Sequence, residues 1–308
     1  MKLSDKQISE ILKSYNLGNF KSKSLIYDEW NTSYFIKTTT GNYLLKIINF
    51  QGEKEILAEL NILQKLQDKI PTIFPIKTNN KKNFIFYKSK IILVFPFING
   101  KPVLKGERLS SKLLIDLGKY YGIIHSTANL RNILQNDAYK EVQRFFNSID
   151  KSSKEYKIAE KTFQLLRDHK FHQSNYPKGL IHADLHTENI LVNKNKIVVI
   201  LDFEEAHIDY FIYDFGIAIL DTCWKNGSIS KSRIRLFLKG YESVRNISSL
   251  EKRHLYDSVI FAGLYSLHWL VKKNKVNDKK NLDHYVVKRF LKLLKDSESK
   301  EMKLKVLN

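Results

Sequence analysis

Two short β-branched runs around a polar tetrapeptide constrain this chain more than any other stretch. Ile190-Leu191-Val192 and Ile197-Val198-Val199-Ile200-Leu201 are apolar, and Asn193-Lys194-Asn195-Lys196 between them is polar. Runs of this kind predict two strands, and so short a link predicts that they fold back as a hairpin. Closing the hairpin brings Asn189, at its entry, beside Asp202, at its exit. Asp184 stands just upstream, on the tight loop Leu180-Ile181-His182-Ala183-Asp184-Leu185-His186-Thr187-Glu188 that leads into the ribbon.

An amide oxygen and a carboxylate at one end of a rigid ribbon are hard donors. They suit magnesium, which is usually shared with nucleotide phosphates. A further carboxylate beside a metal–phosphate site is placed to orient an attacking hydroxyl and accept its proton. The competing explanation is purely structural: Asp184 and Asn189 cap a turn, and Asp202 ends a strand.

The region before the ribbon favours the chemical explanation. Residues 4–15 carry helical spacing behind a Ser4 cap, and Gly18 ends them. Extended patterns follow at 24–27, 33–37 and 42–47, then a helix at 52–66 with Ile56, Leu60, Leu63 and Leu66 on one stripe. Two more strands are predicted at 83–87 and 91–96, before a short linker, Asn99-Gly100-Lys101-Pro102. After Pro102 the patterns turn helical, at 110–129, 136–147, 153–171, 230–245, 249–273 and 282–296, interrupted by the extended region 179–203. The expected class is α+β, with a small antiparallel β-sheet lobe holding one helix over residues 1–98 and a larger, mainly helical lobe over 99–308.

In the first lobe, Lys46 falls on the third strand in an apolar setting, Leu44-Leu45-Lys46-Ile47-Ile48. That is a position from which a lysine reaches the α- and β-phosphates of a nucleotide. Its carboxylate partner is expected on the helix that follows. Glu59 lies near the apolar stripe, and Glu55 is one turn earlier. The turn covering the nucleotide is expected at 27–33. It has no glycine, so the hydroxyls of Thr32 and Ser33 substitute for a cradle of backbone amides. Adenine would bond to backbone at the lobe junction, Phe95 to Ile98, with Phe97 between them.

Composition removes several classes. With 43% hydrophobic residues in 308 the chain can bury a full core, which excludes a disordered tail protein. Its lone cysteine, Cys223, excludes a disulfide scaffold, and its apolar helical setting reads as an inert core thiol. The longest apolar stretch, 258–271, is broken by Ser266 and His268 and falls short of the ~20 residues of a membrane span. No apolar signal core opens the sequence, so a cytoplasmic location is expected. The net charge of +20 raises nucleic-acid binding, but only nine of the 52 basic residues are arginine and the lysines are scattered. The densest run, 77–90, reads as a solvated edge hairpin. Neither a nucleic-acid nor a membrane partner is expected.

Taken in order, H-x-D-x-x-x-x-N, a hairpin and D-F resemble the kinase-like phosphotransferases, within them the aminoglycoside phosphotransferase and choline kinase superfamily. Ala183 stands where protein kinases usually have arginine, and Glu204 follows Asp202-Phe203 where they have glycine. Asp214, in Tyr213-Asp214-Phe215-Gly216, resembles the superfamily's second aspartate, which braces the catalytic loop. Leu117-Gly118-Lys119-Tyr120-Tyr121-Gly122-Ile123-Ile124-His125 resembles its L-G-x-x-x-x-x-L-H helix. The resemblance implies a two-lobed protein-kinase-like fold, ATP and magnesium, with Asp184 as catalytic base, Asn189 and Asp202 as metal ligands, Lys46 as phosphate lysine and Glu59 as its partner. His182 and His186 are expected to pack and hydrogen-bond rather than transfer protons.

The nearest branch resembles the homoserine kinases of this fold, on Tyr15-Asn16-Leu17-Gly18, Asn31-Thr32-Ser33-Tyr34 and Gly240-Tyr241-Glu242-Ser243-Val244-Arg245. A homoserine-like amino alcohol is therefore the first expected substrate. Its carboxylate wants a cation, for which Arg253 and Lys272 are candidates. Choline or ethanolamine comes second and would want an aromatic box from Tyr210, Phe211, Tyr213, Trp224, Tyr265 and Trp269. An aminoglycoside comes third and would want acids, for which Glu204, Glu205 and Asp209 offer a small cluster. The reading from another class is a catalytically inactive nucleotide-binding module of the same fold.

Overall fold

The computed structural model describes residues 2–298 apart from 29, 105, 106, 129, 131, 132, 173, 174 and 275. Glu29 of the expected nucleotide-covering turn therefore lies outside the described residues. The chain forms two compact units, Met1–Lys101 with Val198–Glu204, and Pro102–Ile197 with Glu205–Asn308. The expected single division at residue 98 thus gives way to a chain that returns to its first unit. The cause is local: Ile200 N–H donates to Pro71 O at 2.6 Å, and Thr72 Oγ1 donates to Ile200 O at 3.1 Å.

The first unit is built on a five-stranded antiparallel sheet of order β1-β2-β3-β5-β4, from β1 (Phe20–Asp28), β2 (Thr32–Thr38), β3 (Asn42–Ile48), β4 (Ile85–Tyr87) and β5 (Lys90–Pro96). Alternation along a strand sends successive side chains to opposite faces. Leu45 and Ile47 pack with Tyr34, Ile36 and Val94 beneath α1 (Asp5–Leu12), a helix closed by a Ser4–Gln7 capping box. Leu44 and Ile48 turn the other way, toward Ile56 and Leu60 of α2 (Glu53–Leu66). Lys46 lies between them in sequence and so shares the α2 face.

The second unit holds α3 (Ser111–His125), α4 (Ala138–Ser148), α5 (Lys154–Asp168), α6 (Phe211–Thr222), α7 (Lys231–Glu242), α8 (Ser249–Arg253), α9 (Leu255–Lys273), α10 (Lys279–Asp283) and α11 (Tyr285–Glu298). The single helix expected at 249–273 is broken at His254, whose Nδ1 binds Asp257 Oδ2 at 2.8 Å. Helices α3 and α7 meet at backbone contact. A Cβ on Gly118 would lie 2.0 Å from Phe237 O, and one on Gly240 would lie 1.9 Å from Ile115 O. Helix α6 meets α9 in the same way, with Gly216 against Ser258 O. Helix α11 presses Phe290 onto Gly263 of α9 and buries Val287 and Leu293. Among the described residues no helix is long and apolar enough to cross a membrane.

The short strands are β6 (Lys101–Pro102), β7 (Lys178–Ile181), β8 (Ile190–Asn193), β9 (Lys196–Ile200), β10 (His207–Tyr210), β11 (Trp224–Lys225) and β12 (Ser228–Ile229). β8 and β9 flank a tight turn in which Lys194 and Asn195 take φ of 46° and 57°, the left-handed geometry of a hairpin link. β7 pairs antiparallel with β10, a strand that the sequence pattern does not announce.

Candidate active site

In the first unit the chemistry gathers around Lys46. Strand register sets Ser33 directly beside it across the β2–β3 ladder. Its ammonium forms an ion pair with Glu204 and lies 3.9 Å from Asp202 Oδ1. Burial penalises that charge, but Glu204, Asp202 and Glu59 outweigh the penalty and push the lysine above its ordinary pKa. The direct partner of Lys46 is thus Glu204, in Asp202-Phe203-Glu204. Glu59, the partner expected from α2, acts through its field. Burial pushes the Glu59 carboxyl up to about 7 against the opposing pull of Lys46.

Glu204 also organises the glycine-free β1–β2 connection. Asn31 Nδ2 donates to Glu204 Oε1 at 2.7 Å, and Asn31 Oδ1 accepts the Asn49 N–H at 3.0 Å. Asn49 Nδ2 in turn donates to Trp30 O at 2.8 Å. The Thr32 hydroxyl, expected to face phosphate, instead donates to Asp28 Oδ1 at 2.8 Å and is fully buried. Side-chain hydrogen bonds thus hold this connection in place without a glycine. At 95–98, Phe95 is buried in β5 and Phe97 packs edge-on against Phe35. The Phe97 N–H donates to Asn42 O at 3.1 Å, extending the β3–β5 ladder, and Ile98 is half-buried just beyond.

In the second unit the loop after β7 carries Asp184, with 41% of its side chain exposed. Asn189 closes the loop, its Nδ2 donating to Asp184 O at 2.7 Å and Asp184 Oδ2 at 3.1 Å. With Nδ2 committed, Asn189 Oδ1 is left as a hard acceptor. An amide oxygen of this kind is a hard donor of the sort magnesium takes from a protein, and in the first unit the Asp202 carboxylate is partly exposed. His186 Nε2 lies 3.4 Å from Asp184 Oδ1.

The loop is held from behind. Ala183 takes φ of 64°, uncommon for a side-chain-bearing residue and costly unless its surroundings impose it. Asp214 imposes it, accepting the His182 N–H on Oδ2 at 2.8 Å and the Ala183 N–H on Oδ1 at 2.9 Å. Burial raises the Asp214 pKa, but hydrogen bonds from His125 and the His182 backbone outweigh this and keep it a carboxylate. Burial holds His125 below the ordinary imidazole value, so its ring is neutral. The chain of bonds then has one direction. Arg245 donates to Tyr241 Oη (2.8 Å), Tyr241 donates to His125 Nδ1 (2.8 Å), and His125 Nε2–H donates to Asp214 (3.1 Å). Tyr121 adds a bond to Leu185 O at 3.0 Å.

Other predicted residues fall elsewhere. Asp209 is buried and accepts the Ala138 N–H at 2.8 Å, so it anchors the start of α4. Glu204 is likewise committed, to Lys46. Phe211 stacks on His125 and lies under Arg245, while Trp224 lies under Arg289. Neither is available to an aromatic box. Tyr213 and Tyr265 do come together, lining a cavity with Ala183 and Phe261. Lys272 is 3.7 Å from Glu141, and Arg253 is exposed on α8. Cys223 is buried, which pushes its thiol up to about 12. Sequence reasoning missed Glu204 as the lysine's partner and Asn31 as its second contact. The only signal was the glutamate standing where protein kinases have glycine.

Comparison with known proteins finds a matching family and similar folds. A model of the phosphotransferase enzyme family matches residues 28–247. A homoserine kinase of Methylobacillus glycogenes is 26% identical over 294 residues, covering 89% of this chain and 86% of the relative. An amicoumacin kinase in complex with AMP-PNP and Ca2+ superposes with a TM-score of 0.73 at 19% identity, covering 96% of this chain and 94% of that one. A microcompartment-associated aminopropanol kinase gives 0.69 at 16% identity, covering 96% and 97%.

Proposed function

Because the chain belongs to the phosphotransferase enzyme family, we propose that it transfers the γ-phosphoryl group of ATP to the hydroxyl of a small amino alcohol resembling homoserine. The observation that carries this reading is the Asp184–Asn189 clamp. It leaves a partly exposed carboxylate next to an amide whose oxygen alone is free to bind a cation. Asp184 aligns the acceptor hydroxyl and takes its proton. Lys46 neutralises phosphate charge, and the 95–98 backbone recognises adenine. Asn189 and Asp202 would hold magnesium, which when bound would supply charge neutralisation at the phosphates. The rest of the work is positioning and electrostatics, which need no covalent intermediate.

Two observations support the amino alcohol over its rivals. The acids that a polycation would want are already engaged, Glu204 by Lys46 and Asp209 by α4. Two of the aromatics that a quaternary ammonium would want are engaged as well. The relatives described as homoserine kinases point the same way. The test is ATP consumption with magnesium against L-homoserine, choline, ethanolamine, aminopropanol and kanamycin. Preference for L-homoserine is expected, and preference for choline, ethanolamine or kanamycin would favour that rival instead. ATP binding without consumption across the panel would instead identify an inactive nucleotide-binding module.

A further inference from the structure

Asp221 is a buried carboxylate near the end of α6, and donors converge on it from two distant parts of the chain. The Thr187 N–H donates to Oδ2 at 2.7 Å. The Tyr285 hydroxyl donates to Oδ1 at 3.0 Å, and Arg289 Nη1 stands 3.8 Å from that oxygen. Arg289 also donates to Leu220 O (3.1 Å) and Asp221 O (3.0 Å), with its guanidinium over the ring of Trp224. Tyr285 and Arg289 are four residues apart on α11 and so share a face. Thr187 opens the 3-10 turn Thr187–Asn189, whose last residue clamps Asp184.

A buried carboxylate is costly unless it is paired and hydrogen-bonded. Asp221 therefore holds Thr187 in place only while α11 supplies its counter-donors. Burial, reinforced by Asp221, raises the Tyr285 pKa, so its hydroxyl remains a donor. Helix α11 stays docked on its apolar face, through Val287, Phe290 and Leu293. The polar link can thus be removed without undocking the helix.

We propose that Tyr285 and Arg289 of the C-terminal helix are positioning residues for phosphoryl transfer, acting through Asp221 on the Thr187–Asn189 turn. The proposal rests on the reading of Asp184 and Asn189 as transfer machinery. Helix α11 is then part of the active-site support rather than a peripheral cover.

The test compares Tyr285→Phe, Asp221→Asn, Asp221→Ala and Asp184→Ala in the full chain, with ATP, magnesium and the acceptor that the wild type turns over fastest. Turnover, KM for ATP, melting temperature and amide hydrogen exchange of residues 182–190 are measured well below melting. Tyr285→Phe is expected to lower kcat about 3- to 10-fold, the worth of one hydrogen bond, with KM for ATP within about twofold. Exchange in 182–190 should quicken while α9 is unchanged, and Asp221→Asn, which keeps an acceptor, should outperform Asp221→Ala. Lowered melting temperatures with unchanged kcat and exchange would reduce the link to a structural one and overturn the proposal. Full activity of Asp184→Ala would instead overturn the reading beneath it. If no acceptor is turned over, the exchange result alone decides.

Discussion

The Asn31 side-chain amide donates to the carboxylate of Glu204 at 2.7 Å, joining the β1–β2 connection to the segment that follows Asp202. A loop without glycine is thereby fixed by a side chain. Hydrogen bonds to charged groups are worth about 1.5–3 kcal/mol. Asn31→Ala is therefore expected to raise KM for ATP about 10-fold or more with kcat within about threefold. Steady-state kinetics at varied ATP measures both.

Asp184 is the proposed base. Asp184→Ala should lose at least ~100-fold in kcat, the usual weight of a positioned general base, while magnesium-dependent protection of the fold by ATP persists. Wild-type turnover in this variant would remove Asp184 from the mechanism.

Glu59 gives the protein a pH signature. Its folded pKa is about 7 against an ordinary 4.5, so between those values the folded state holds a proton that the unfolded chain releases. Its contribution to stability is intact below about pH 4.5 and disappears as pH rises through 7, by on the order of 3 kcal/mol. Glu59→Gln abolishes that titration. Melting curves should show the variant gaining on the wild type from pH 4.5 to 7, and parallel curves would contradict the assignment.

Tyr241→Phe leaves His125 Nδ1 buried without its donor. An unsatisfied buried group costs about 1–3 kcal/mol, readable as a lower urea midpoint at unchanged slope. Since His125 supports Asp214, kcat should fall as well.

Gly118→Ala would drive a methyl group into the Phe237 carbonyl. Overpacking of this kind costs about 1–3 kcal/mol when side chains alone must adjust, and here backbone must move. A loss at the upper end of that range or beyond is expected in chemical denaturation, against a near-neutral Gly227→Asn, where φ is 76° and the site is open.

Much of this was legible in the sequence because it is local. The β8–β9 turn, Lys46 on the third strand and the motif from His182 to Asp202 depend on residues close in the chain. Helical periodicity located the longer helices of the second unit to within a few residues, but missed the break at His254 and the separate short helix α10 before His284. What escaped is set by contacts between distant residues. Lys46 and Glu204 are 158 positions apart, and Asp221 and Tyr285 are 64 apart. Nothing in either neighbourhood names its partner. Glu59 was preferred because a helix following a lysine-bearing strand is the nearest source of a carboxylate. The structure keeps Glu59 within its field while giving the direct contact to Glu204. Strand β10 was missed because four residues, with Ile208 and Tyr210 separated by a strand-averse Asp209, give too little pattern to read.

Where Gly118 and Gly240 let two helix backbones touch, no compressible layer of side chains separates α3 from α7. A displacement of one is passed undiminished to the other. Their far ends carry His125 and Tyr241, the two rings that steady Asp214. Warming should therefore extinguish turnover abruptly, at the temperature where this seam parts, instead of eroding it by degrees.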